Sequence, residues 1–444
     1  MLPWHDPALA MVIFKALPFL SLRRAAATAV LAFAPFLAHA ASLLEESAQP
    51  WLPGIVLLKP SVSSQEANPP GPVVSPLTSW TERTLSLVIK YRQNPLRAAR
   101  ALAYVHVAMH DALLLASPER PAVRKAAAHR TASCVLAFLY PQEAFGKLEA
   151  EGIALIHKSE MSLSEGEQKQ VEKVASTILE AVRIRAWNDG AERIWAVNSR
   201  PPFQEGQWRE APPLRIITPT EAMAGEWKTW VLKDGSEVQP PPPPPPDSEQ
   251  ELGEMAEVLQ TFRQLTNGQK EIARRWNLDQ GTVTPPGVWN KIVLSSAADW
   301  QLSDEDTVKV LAAMNVGMLD AFIACWRAKF TWWTQRPITA IHAKLAPDFM
   351  PLLLTPPFPA YVSGHATVSG AASAILAAYF PGDRARLQAS AEEAALSRLY
   401  GGIHIRSDNE AGLELGRAVA SKVVGSLYRG AVSPPPSTAA AGKR

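Results

Sequence analysis

Between Asp304 and Arg327, apolar residues fall at positions 308, 311, 312, 316, 319, 322, 323 and 326. That spacing draws one stripe along a helix of 3.6-residue period, with Ser303 standing where an N-cap belongs. A second stretch, Arg97-Ala-Ala-Arg-Ala-Leu-Ala-Tyr-Val-His-Val-Ala-Met-His-Asp-Ala-Leu-Leu, repeats the period with alanine-rich filling, as a core helix does. No run of strand-like alternation stands out anywhere, so the expected fold class is all-α. Between the helical parts, Pro201-Pro202, Pro212-Pro213 and the unbroken run Pro240 to Pro246 rule out regular helix. Seven consecutive prolines adopt the extended polyproline II form. They read as a spacer or a strap laid over the surface; recruitment of a proline-reading partner is the sharper alternative, which export would disfavour.

The predicted organisation is a signal segment over 1–40, an extended lead-in over 41–79 and an N-terminal helical subdomain over 80–200. A Pro-rich connection over 201–250, a C-terminal helical domain over 251–430 and a tail over 431–444 follow. Arg23-Arg24, the apolar run Ala25 to Leu37 and Ala38-His39-Ala40 form the n-region, h-region and A-x-A site of an export signal. The expected location is periplasmic or secreted. The formal net charge of +2 is the balance of Lys15, Arg23 and Arg24 against Asp6, all within that signal. The remainder is nearly neutral, which argues against nucleic acid as a partner. Residues 349–382 carry no formal charge, but Pro351, Pro356, Pro357 and Pro359 and the Ser363, His365, Thr367, Ser369 and Ser373 side chains suit a buried helix of a soluble bundle better than a membrane span. No integral span is expected after signal removal. Cys134 and Cys325 allow one bridge at most; Cys325, beside Trp326 on an apolar face, reads as a buried thiol.

Three stretches carry the chemistry. Lys329-Phe-Thr-Trp-Trp-Thr-Gln-Arg336-Pro337 puts two cations seven residues apart, on one face if the helix persists, with Pro337 ending the element at Arg336. Ser363-Gly364-His365 precedes an alanine-rich helix, offering backbone N–H groups and a positive dipole end to an anion. Ser397-Arg398 leads through Gly401-Gly402, a sharp turn returning His404 toward Arg398, to Asp408, spaced to accept from the other nitrogen of His404. Arginine neutralises oxyanions through a rigid fork and lysine as a point charge. The set therefore suits a tetrahedral oxyanion whose central atom His404 attacks or ligates. The pair His106 and His110, with Asp111, could face one side of a helix as metal ligands, but with no glutamate beside His106 and no further ligand in view they read as core residues.

In this order, K-x6-R-P, S-G-H and S-R-x5-H-x3-D resemble the signature of the superfamily uniting type 2 phosphatidic acid phosphatases, bacterial acid phosphatases and vanadium-dependent haloperoxidases, with Val362 departing from the usual proline before the serine. Over roughly residues 80 to 425 the chain looks most like the bacterial vanadium-dependent haloperoxidases. Ala103-Tyr-Val-His-Val-Ala-Met-His-Asp-Ala, Gly281-Thr-Val-Thr-Pro-Pro-Gly-Val-Trp289 and Tyr400-Gly-Gly-Ile-His-Ile-Arg-Ser-Asp-Asn carry that likeness. Trp326 and Phe358 match pocket positions of the fungal chloroperoxidase branch. Asp279 sits where that branch pairs a carboxylate with the second arginine, here Arg398.

The resemblance implies two helical bundles with vanadate at one end and neither nucleotide nor haem. His404 would be the axial ligand, and Lys329, Arg336, Arg398, Ser363 and Gly364 would compensate the charge. His365 would assist proton transfer, and Lys329 would polarise peroxide toward halide or a small organic acceptor. The alternative is a secreted acid phosphatase holding phosphate in the same site, with His404 as nucleophile, Asp408 orienting it and His365 protonating the leaving group.

Overall fold

The computed structural model describes residues 77–116, 120–158 and 162–428. The expected signal segment, the lead-in up to residue 76 and the expected tail lie outside the described residues. Thirteen α-helices and no strand occur among the described residues. A first group comprises α1 (Ser79–Lys90), α2 (Pro95–Leu115), α3 (Pro121–Leu139), α4 (Lys147–Lys158) and α5 (Glu165–Asn188). A second comprises α6 (Glu249–Arg263), α7 (Asn267–Arg275), α8 (Thr284–Asp299), α9 (Asp304–Trp332), α10 (Pro337–Lys344), α11 (Gly364–Tyr379), α12 (Arg384–Tyr400) and α13 (Arg406–Tyr428).

The central element is α9. The Ser303 hydroxyl accepts from Asp306 N at 3.1 Å, and Asp304, Glu305 and Asp306 occupy the first turn, where carboxylates complement the helix dipole. The helix packs against α2 on one side and α11 and α13 on the other, so it is buried nearly all round. It is long and apolar enough to cross a membrane, with a mean hydropathy of 1.6, yet 94% of that window is buried inside the protein.

The tightest helix pairing joins α11 and α13. Its cause is Gly416, where an added Cβ would lie 2.1 Å from the Thr367 carbonyl oxygen. The close approach carries through to the N-terminal ends of both helices, where Ser363 N donates to the Asp408 carbonyl at 2.9 Å. Two of the three sequence motifs are joined there by the backbone itself.

Residues 189–248 hold no α-helix, yet they are bound to the helices throughout. Asp320, buried on α9, accepts from the backbone N–H groups of Trp230, Val231 and Leu232 at 2.8, 2.8 and 3.0 Å. Trp208 N donates to Trp333 O at 2.7 Å, and the Tyr361 hydroxyl donates to the Pro241 carbonyl in the proline run. This segment is a strap rather than a free spacer.

His106 belongs to the core. Its Nε2 contacts the Thr81 hydroxyl at 2.9 Å, while Nδ1 meets the Leu102 carbonyl at 2.8 Å and the Asn315 amide at 3.1 Å. Asn315 also pairs with Asn290, so four elements share one buried polar network. Among the described residues no three His, Cys, Asp or Glu side chains gather as a cation site would require. Cys134 and Cys325 are both buried free thiols and do not pair.

Candidate functional site

Helix α9 stops at Trp332, earlier than the spacing of Lys329 and Arg336 suggests, because Trp333 turns left-handed at φ 54°. Its ring lies among those of Trp195, Trp208 and Phe330, which hold that conformation in place of a glycine. Arg336 is extended and precedes α10, with Pro337 at the first helical position, where its missing N–H costs nothing. The two cations therefore reach the site from different elements rather than from one helix face.

Lys329 is fully buried. Its Nζ donates to the Pro359 and Ala360 carbonyls at 2.9 and 2.7 Å, and it lies over the Trp326 and Phe358 rings at 5.6 and 5.2 Å. Two of its three N–H groups are thus committed, and one remains. Burial, with Arg336 pressing the same way, lowers this lysine from its usual range to about 7. Arg336 donates through Nε to Phe358 O at 2.8 Å and through Nη1 to Ile403 O at 2.9 Å.

Ser363 is the residue before α11, but its hydroxyl makes no capping bond. An N-cap serine ordinarily accepts from an N–H of the first turn. Here the Oγ is buried with no partner, beside the open N–H groups that begin at Gly364. Gly364 faces the Trp326 ring, which a Cβ would meet at 3.4 Å.

The third motif turns as its glycines imply. Gly402 has φ 74°, and Ile403 N returns to donate to Arg398 O at 3.2 Å. His404 Nδ1 lies 2.8 Å from the Asp408 carboxylate, and its Nε2 lies 3.1 Å from Arg336 Nη1. These partners assign the proton to Nδ1 and leave the Nε2 lone pair facing the cations. Burial, then Arg336, Lys329 and Arg398, hold His404 well below the usual histidine range, so it is neutral. Asp408 also accepts from Ile405 N at 3.3 Å, and burial pushes its carboxyl above the usual carboxylate range.

Arg398 donates through Nη1 to the Trp276 carbonyl at 2.9 Å and to His365 Nε2 at 2.7 Å. His365 keeps some solvent access, but desolvation and the Arg398 charge hold it well below the usual histidine range. Asp279 departs from the sequence expectation. It is exposed, accepts from Gln280 N at 2.7 Å within its own loop, and forms no ion pair with Arg398, on which it acts only through its field. The Trp276 carbonyl, a backbone group that residue type could not reveal, takes the contact instead.

Seven predicted residues, Lys329, Arg336, Ser363, His365, Arg398, His404 and Asp408, thus converge with Gly364 on one buried locus. Arg336 Nη2, Arg398 Nε and Nη2, and Ser363 Oγ are buried there without a protein partner. Unsatisfied buried donors are costly, and this many together suit a small acceptor of high charge. Burial also lowers Arg336 to about 10 and Arg398 to about 9. A bound anion would supply the countercharge that all three cations lack.

A family model described as the VCPO second helical-bundle domain matches residues 309–391 and 385–430. Vanadium chloroperoxidase of Curvularia inaequalis is 31% identical over 123 residues, 22% of this chain. That match spans 20% of the length of the fungal protein. A solved structure described as the first bacterial vanadium-dependent iodoperoxidase aligns with a TM-score of 0.67 at 24% identity, covering 81% of this chain and 98% of that one. The apo form of a bacterial vanadium-dependent chloroperoxidase aligns at 0.62 and 15% identity, covering 76% and 95%. The chain has the helical-bundle fold of those two bacterial proteins, and residues 309–430 match the model of the VCPO second helical-bundle domain.

Proposed function

We propose that this chain is a vanadium-dependent haloperoxidase, oxidising halide with hydrogen peroxide at a vanadate held by His404. One observation carries the reading: four buried donor atoms on Arg336, Arg398 and Ser363 lack protein partners beside His404, whose Nε2 lone pair faces the Arg336 guanidinium. The donor set fits vanadate, a tetrahedral oxyanion. Arg336 and Arg398 would neutralise its oxygens, Ser363 Oγ and the Gly364 N–H would donate to them, and His404 Nε2 would give its lone pair to the metal. When bound, vanadate would supply a Lewis-acidic centre that activates peroxide toward halide.

The remaining work belongs to the chain. Asp408 holds the His404 proton on Nδ1, keeping Nε2 available throughout. His365, whose Nε2 accepts from Arg398 Nη1, would assist proton transfer as peroxide enters. Lys329, between the Trp326 and Phe358 rings that restrict water, would polarise peroxide with its remaining N–H.

The test is a vanadate titration of the purified protein in two parallel assays. One follows peroxide-dependent bromination of a chromogenic acceptor, the other hydrolysis of an aryl phosphate. Bromination that requires vanadate and disappears in His404→Ala is the expected result. Phosphate release inhibited by vanadate, with no halogenation at any halide, makes this an acid phosphatase working through the same residues.

A further inference from the structure

Helix α6 carries Glu251, Glu254 and Glu257 at three-residue steps, which places them along one side of a helix. Two of the three meet residues adjoining the oxyanion site. Glu251 accepts from the Gln335 amide at 3.1 Å, next to Arg336. Glu254 Oε2 accepts from Ser407 N at 2.9 Å and from Ser407 Oγ at 2.7 Å. Glu257 pairs with Arg406 Nε at 3.1 Å, outside the site on the surface.

The middle contact differs from its neighbours in what it holds. Ser407 lies in the first turn of α13, between His404 and Asp408, and its N–H has no acceptor within the helix. Glu254 takes that N–H from outside, while Asp408 reaches back to the Ile405 N–H. One carboxylate from another helix thus fixes the turn from which Asp408 orients His404 and through which Asp408 O holds Ser363 N. A carboxylate is also favoured at this helix end by the dipole.

We propose that Glu254 is a positioning residue for oxyanion binding, acting through Ser407 to set His404 and Ser363 against Arg336. The inference rests on the oxyanion reading of the site. It adds a residue that lies outside the three motifs, on a helix separated from them by more than sixty residues of chain.

The experiment is calorimetric binding of orthovanadate to the full chain, with thermal unfolding of each variant alongside. Glu254→Ala is expected to weaken binding about tenfold or more, and Glu254→Gln, which keeps an acceptor oxygen, to recover to within about threefold of wild type. Glu257→Ala, which loses a surface pair on the same helix, is expected to bind as wild type does. Should Glu254→Ala not fold, Ser407→Ala removes the hydroxyl bond alone and is expected to weaken binding about threefold. Wild-type affinity in a folded Glu254→Ala, or in Ser407→Ala, overturns the inference, as does an equal loss in Glu257→Ala or no recovery in Glu254→Gln. A wild-type chain that takes up no orthovanadate overturns the oxyanion reading itself and the inference with it.

Discussion

His404 Nδ1 and the Asp408 carboxylate lie 2.8 Å apart, both side chains almost completely buried. The contact fixes which ring nitrogen carries the lone pair, and it exists because α13 begins just after the histidine. Asp408→Ala keeps His404 in place but frees its tautomer. The expected loss of orthovanadate affinity is about 10- to 100-fold, read by calorimetry.

Ser363→Ala separates binding from stability. The hydroxyl is buried and unpaired in the protein, so its removal is expected to leave the thermal midpoint of the anion-free chain unchanged or raise it, by up to about 1 kcal/mol of stability. Inorganic phosphate or vanadate affinity should fall about fivefold in the same variant. A serine serving only the fold would give the opposite pattern.

Lys329 sets a pH dependence. Burial brings it to about 7, so the anion-free protein holds it partly neutral at neutral pH, whereas a bound anion favours the charged form. Anion binding therefore takes up protons from pH 7 upward, and affinity falls as pH rises through that value. The stability linkage has a definite sign: between about 7 and the usual lysine value, the unfolded chain binds more protons, so stability of the anion-free chain rises with pH there. In Lys329→Met both effects are expected to vanish, with proton uptake measured by calorimetry in buffers of different ionisation enthalpy.

Asp320 ties the strap to α9 through three backbone N–H groups. Asp320→Ala leaves those donors buried without a partner and is expected to cost about 3 kcal/mol or more, measured by denaturant unfolding. Hydrogen exchange should quicken first at residues 230–232.

Much of this site was legible because its parts are local. The Ser363-Gly364-His365 turn, the Gly401-Gly402 turn and the His404 to Asp408 spacing each express their geometry within a few residues. The early end of α9 was not legible, since a tryptophan adopts the left-handed cap and only distant rings from residues 195 and 208 make that favourable. Asp279 was misplaced for a related reason: a carboxylate's partner depends on how its loop turns, and here the loop satisfies it locally. The role of the α6 carboxylates was not legible, because their targets lie far away in the chain and spacing along one helix says nothing about what it faces.

The most direct measurement is a crystal structure of the protein soaked with orthovanadate. The expected result is tetrahedral or five-coordinate density joined to His404 Nε2, with its oxygens contacting Arg336 Nη2, Arg398 Nε and Nη2, and Ser363 Oγ. Full-occupancy density elsewhere, or none at His404 under saturating vanadate, would contradict the assignment of these donors to an oxyanion.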